Sequence, residues 1–176
     1  MVVLRCTAKL LKRLKRDKEP LKEPGSSTTA LGDWYANVIY MGRQPLVLAV
    51  NEGSLLPLLM PARDVDQLGE HLVRTLIENL ERTGIPEAII GQEISNMNPV
   101  IFGKTSSRSV LGSMNDFADQ VKFMHHVRED WSLVEWMDYL GAMPCKAIQY
   151  KYPSEVAREL LMGQTCRASS VKGEKD

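Results

Sequence analysis

The sequence predicts one α+β domain, a small mostly antiparallel sheet packed with about five or six helices. Two observations predict it. Residues 34–60 carry short aromatic and β-branched runs separated by turn residues, whereas residues after 64 switch to apolar spacings of three and four. At 176 residues the chain suits one core, over 1–162, with 163–176 as a polar tail.

Val2–Arg5 is a short apolar run fit for a buried strand. Thr7 then caps a helix whose stripe is Leu10, Leu11 and Leu14, with lysines and arginines opposite. Residues 17–30 hold two prolines, a glycine and four Ser/Thr, the composition of an exposed loop. Trp34–Met41, a turn at Gly42-Arg43-Gln44, and Leu46–Val50 make a hairpin. Ser54–Met60 extends it to a meander, and Pro57 restricts that run to an edge or irregular strand. From Asp64 to Thr83, Val65, Leu68, Leu72, Val73, Leu76, Ile77 and Leu80 give the strongest helical pattern, with Asp64 and Gln67 spaced as a capping box and Gly84 as a stop. Pro86 opens a short helix ending near Gly91, and Pro99–Phe102 is another strand. Ser113–Val127 is helical, with Ser113 as cap and Phe117, Val121, Met124 and Val127 facing inward. Ser132 with Glu135 repeats the cap spacing, and Pro153 precedes a last helix at Val156–Met162.

Composition excludes several classes. With 44% hydrophobic and 25% charged residues the chain is neither disordered nor, lacking an apolar run of about 18, membrane-spanning. The start, Met1-Val2-Val3-Leu4-Arg5, reverses the charge-then-apolar order of a signal peptide, which points to the cytoplasm. Cys6, Cys145 and Cys166 are three, widely spaced and without Cys-x-x-Cys, so neither a disulfide framework nor a zinc knuckle is expected. Cys6 and Cys145 read as buried apolar residues. Net charge is zero but unevenly placed: residues 1–24 carry eight basic against three acidic groups, leaving +5 there and −5 elsewhere. That fits either a solvated helix face or a binding arm built on Lys12, Arg13, Lys15 and Arg16.

One segment stands out chemically. Lys104 to Asp116 sets two cations, several hydroxyls and a glycine at the start of a helix. Lys104, Arg108, Ser109, Gly112, Ser113 and Asn115 are therefore candidates to hold a phosphate or carboxylate. Asp116, in the first turn of a helix capped by Ser113, would oppose an anion. The plainer reading is a polar loop before a capped helix. Nucleotide fingerprints are absent, so no cofactor is expected. His125-His126 project about 100° apart on a helix, and no metal site is expected. Gly-x-Ser-x-Gly is missing. Trp34, Tyr35 and Tyr40 suit core packing better than an open base-stacking platform.

Two blocks, Leu31-Gly32-Asp33-Trp34-Tyr35-Ala36-Asn37 and Arg108-Ser109-Val110-Leu111-Gly112-Ser113-Met114-Asn115-Asp116, resemble an uncharacterised bacterial domain-of-unknown-function family, the one numbered 6933. The opening Leu4-Arg5-Cys6-Thr7-Ala8-Lys9-Leu10-Leu11 is similar to that family's start. The likeness covers roughly residues 1–127; it implies one small bacterial domain of the kind carried on mobile or accessory DNA, and no catalytic residue. The last helices then read as an elaboration. The function expected is an accessory or interaction protein binding nucleic acid, a protein partner or itself, and no membrane. The runner-up is an enzyme on a phosphorylated substrate, with Arg108 and Ser113 holding the anion and Asp116 as acid or base. In a third reading Arg108 pairs with an internal carboxylate.

Overall fold

Val2, Val3, Leu4 and Cys6 are all buried, and a strand buried on both faces must lie inside a sheet. The computed structural model, which describes residues 1–18, 25, 27–63 and 65–170, places it there. Strand β1 (Val2–Cys6) is followed by α1 (Ala8–Arg13), β2 (Trp34–Met41), β3 (Gln44–Asn51), β4 (Pro57–Pro61), α2 (Leu68–Arg82) and α3 (Glu87–Met97). Then come β5 (Val100–Lys104), α4 (Arg108–Met124), α5 (Leu133–Gly141) and α6 (Pro153–Ser170). The five strands form one sheet in the order β4-β3-β2-β1-β5.

The fold is α+β, with a mixed sheet. The meander β2-β3-β4 is antiparallel, and β4 takes an edge, as its two prolines require. Gly42 turns the hairpin at φ +58°, where a Cβ would stand 2.9 Å from His125 Nε2. β1, by contrast, pairs parallel with both β2 and β5, a feature beyond the expected mostly antiparallel sheet. Parallel pairs join segments far apart in sequence, so no local turn signal announces them.

Alternation along the register assigns the faces. Leu4, Trp34 and Phe102 are neighbours on one face; Arg5, Tyr35 and Gly103 are neighbours on the other. α1 lies over the first: Lys9 Nζ sits 4.8 Å from the Tyr40 ring centroid, and the Arg16 guanidinium 4.5 Å from that of Phe102. α2 approaches the same face, with Gly69 against Val100. The start of α4 meets the second face at Tyr35. Helices therefore cover both faces. Trp34 and Tyr35 are fully buried, core residues as the sequence suggested, while Tyr40 is half exposed beneath Lys9.

Several boundaries differ from expectation. α4 ends at Met124, and Val127, expected to face inward, lies beyond it and is exposed. α4 starts at Arg108, not Ser113: Ser107 caps it, its Oγ accepting from Val110 N at 3.3 Å. This start brings Val110, which a start at Ser113 would leave outside the helix, into the buried stripe of Met114, Phe117 and Val121. α3 runs through Gly91 to Met97 and buries Ile90, Glu93 and Met97. α6 continues past Gly163 to Ser170, where a tail was expected. α2 starts at Leu68 after a single 3-10 turn, Val65–Gln67, and Gln67 makes no side-chain cap bond; Asp64, its expected partner, is outside the described residues. Half of the expected 17–30 loop (19–24 and 26) and the last six tail positions are likewise outside them. α5 has the full capping box between Ser132 and Glu135.

Candidate functional site

The turn from β5 into α4 is fastened to the sheet by one hydroxyl. Tyr35 Oη, at the end of a fully buried side chain, accepts from Ser107 N at 3.2 Å and lies 3.0 Å from Ser106 Oγ and 3.4 Å from Glu52 Oε1. Beside it, Arg5 Nε donates to Asp33 Oδ2 at 2.8 Å, and Arg5 Nη1 donates to the Lys104 carbonyl at 3.3 Å. Of Arg5, Asp33, Tyr35, Glu52, Ser106 and Ser107, the sequence singled out only Tyr35, and that as a core ring rather than as a hydrogen-bonding group. Their partners are distant in the chain, and only the serines fell inside the flagged segment.

Capping leaves the remaining orphan donors exposed. An α-helix start has four N–H groups without intrahelical partners. Ser107 N goes to Tyr35 and Val110 N to Ser107 Oγ, leaving the Arg108 and Ser109 amides without a partner among the described residues. No acidic residue lies in the first turn. Lys104, Arg108, Ser109, Gly112 and Asn115 are exposed, and Arg108 makes no hydrogen bond or ion pair among the described residues. The structural reading of Arg108 as a carboxylate partner thus finds no support. Arg108, Gly112 and Asn115 follow at helical spacing on one side of α4, and a Cβ at Gly112 would meet nothing within 4 Å.

Two expectations for this segment are corrected. Ser113 is neither cap nor anion donor: it is buried one turn inside α4, its hydroxyl donating to the Ser109 carbonyl at 3.4 Å. Asp116 is not in the first turn. It lies two turns on, close enough to Cys145 to raise that thiol's pKa along with burial, the larger cause. The enzyme reading needed Arg108, Asn115 and Asp116 to converge in a pocket, and none of the three lines the groove of about 1020 Å³ along α2 or the cavity of about 300 Å³ between Leu80 and Arg158.

The first helix is less free than its charge suggests. Arg13 Nη2 donates to the Ala62 carbonyl at 3.1 Å, and Arg16 rests on Phe102, whereas Lys12 and Lys15 are exposed. The residues that α1 rests on belong to the face opposite Tyr35, so β5 and its open edge separate this basic face from the start of α4. The two do not form one continuous surface on a single side of the sheet.

The remaining reactive groups are quiet. Burial pushes the Cys6 thiol up to about 12, so it is protonated and non-nucleophilic at neutral pH. Cys145 is half-buried rather than buried. The rings of His125 and His126 are 5.7 Å apart, and no cluster of three ligating side chains occurs among the described residues. Among them, too, no helix is long and apolar enough to cross a membrane.

The three blocks that carry the family likeness meet at this turn. Arg5 of the opening block binds Asp33 of the second, and Tyr35 of the second holds the amide that precedes the third. No curated protein and no solved structure matches the chain. A family model matches residues 3–156, so α5 and the first turn of α6 are part of the shared domain rather than an elaboration of this chain. The chain belongs to the family described as Domain of unknown function (DUF6933).

Proposed function

We propose that this domain is a binding module, not an enzyme, and that it takes a phosphate-bearing partner at the β5–α4 turn, with nucleic acid the first partner to test. One observation supports the reading above the rest: Arg108 is exposed at a helix start with no acid in its first turn, and neither its guanidinium nor the Arg108 and Ser109 amides have a partner among the described residues. Such a start attracts anions through its N–H groups and dipole, and a guanidinium adds a charge-assisted bond. Lys104 and the hydroxyl of Ser109 widen the contact, and the bare backbone at Gly112 permits close approach. Glu52, held near Tyr35 Oη, limits the anion to the outer side of the turn. Lys12 and Lys15 contribute only if the partner wraps the β5 edge. In this reading the protein works in the cytoplasm, consistent with its sparse cysteines.

The test is fluorescence anisotropy with labelled DNA and RNA at low and moderate salt, using wild type, Arg108→Ala and the Lys12→Ala/Lys15→Ala pair. Each phosphate neutralised contributes about 0.9 to the slope of log affinity against log salt for duplex DNA. Arg108→Ala should weaken binding several-fold, on the order expected for one charge-assisted contact, and flatten that slope by about one contact. Absence of binding at low salt overturns the nucleic-acid reading.

A further inference from the structure

Three rows of side chains run along α2. Leu68, Leu72, Leu76 and Leu80, four apart, are buried in the core. One position on, Gly69, Val73 and Ile77 make a second row. Asp66, in the 3-10 turn before the helix, continues through Glu70, Arg74 and Glu78 as a third. The second and third rows line a groove of about 1020 Å³ that reaches the end of α3 and has Val100 and Phe102 of β5 opposite.

The leucine row is what packs the core. Val73, Ile77, Ile94, Val100 and Phe102 are consequently only partly buried and leave apolar surface along the groove. The rim along α2 carries three carboxylates against one guanidinium, none of the four with a partner among the described residues, and a second guanidinium, that of Arg16, lies over the Phe102 ring on the far wall, so carboxylates outnumber cations by one. Asp66 and Glu70 suit the positive end of α2, but Glu78 sits too far along to benefit from it. Unneutralised carboxylates against a low-dielectric apolar wall give the groove a negative field that selects its occupant.

We propose that this groove docks a basic amphipathic segment of another protein. Its large apolar side chains would lie against Val73, Ile77 and Phe102, and its lysines or arginines along Asp66, Glu70 and Glu78. This is the physics of an amphipathic helix seated in an apolar groove, with charge setting the choice of partner. The inference stands apart from the phosphate-bearing reading. It concerns a different part of the fold and the opposite sign of charge, and a nucleic acid would be repelled there.

The experiment uses the full chain and two labelled synthetic helical peptides of one pattern, leucine with lysine and leucine with glutamate. The lysine peptide should bind saturably at a single site and the glutamate peptide should not. Glu70→Lys with Glu78→Lys, both exposed positions, should weaken binding about tenfold or more while leaving the circular dichroism unchanged. Glu129→Lys with Asp130→Lys makes the same charge change away from the groove and should leave affinity within about twofold. Arg108→Ala should have no effect, which separates this result from the fate of the phosphate-bearing reading. Equal binding of both peptides, equal weakening by the two double variants, or displacement of the peptide by spermine overturns the proposal. So does self-association in sedimentation that the groove variants abolish, because the occupant would then be a second copy.

Discussion

Replacing Tyr35 with phenylalanine isolates the one hydroxyl that ties the start of α4 to the sheet. The ring is fully buried and would stay, so the apolar contribution is nearly unchanged. What disappears is the acceptor of Ser107 N at 3.2 Å and the partner of Ser106 Oγ at 3.0 Å. Ser106 is exposed and regains a bond to water. Ser107 N is partly buried against a ring that offers no substitute, and a donor left in that condition costs about 1–3 kcal/mol. Taking the lower half of that range, for partial exposure, gives about 1–2 kcal/mol, or roughly 3–6 °C in Tm for a domain of this size. Thermal unfolding measures the loss, and amide hydrogen exchange locates it. Protection should fall at Ser107 to Val110 and stay unchanged in β2 and β3. A Tm within about 1 °C of wild type, with exchange at Ser107 unaltered, would show that the hydroxyl does not hold the turn.

Three other perturbations have defined outcomes. Glu93 is buried and accepts from Ala30 N at 2.7 Å and Leu31 N at 3.1 Å, so Glu93→Ala orphans two donors and should cost about 2–4 kcal/mol in urea unfolding. Burial, outweighing those two bonds, raises its pKa above 4.5; wild-type stability should therefore fall as pH rises from 4.5 through the folded-state value, a slope Glu93→Ala should lack. Asp33→Ala strands the mostly buried Arg5 guanidinium and should cost about 2–3 kcal/mol by urea titration, less than a fully buried pair because Arg5 keeps 19% of its side-chain surface. Gly112→Ala has open space for its Cβ and should raise stability by about 0.5–1 kcal/mol; if it also lowers phosphate or nucleic-acid affinity by anisotropy, a ligand approaches that backbone closely.

What was legible in the sequence was local. The hairpin turn at Gly42, the leucine stripe of α2, the stop at Gly84 and the Ser132–Glu135 box each involve residues within a few positions, where periodicities of two and 3.6 act directly. The burial of β1 was legible but its parallel pairing was not, since its partners include Val100 and Ile101, far away in the chain. The cap of α4 fell between these cases. Ser106, Ser107, Ser109 and Ser113 all satisfy the chemistry of a cap, and the choice rests on which start brings Val110 into the helix and the core. The candidate anion site survived that correction in altered form. Ser113 left it and Ser107 and Tyr35 entered it, while Lys104, Arg108, Ser109, Gly112 and Asn115 remained on the surface.

Formal charge is the part of the sequence that misleads most, and correcting it sharpens both proposals. The basic excess near the N-terminus suggested an arm for anions. Yet Arg5 is held by Asp33, Arg13 donates to a carbonyl, Lys9 donates to the Val38 carbonyl while resting over Tyr40, and Arg16 lies on Phe102. A cation already desolvated and hydrogen-bonded within the fold releases few counterions on meeting a phosphate, so it adds little to the salt dependence of binding. Of the cations proposed as anion contacts, those left available are Arg108, Lys104, Lys12 and Lys15. On α2 the reverse holds, because Asp66, Glu70 and Glu78 have no partner among the described residues and lie beside apolar surface. A chain of zero net charge can in this way present one surface to anions and another to cations. Raising salt should therefore weaken both interactions, whereas Arg108→Ala should weaken the first several-fold and Glu70→Lys/Glu78→Lys the second about tenfold or more, each leaving the other intact.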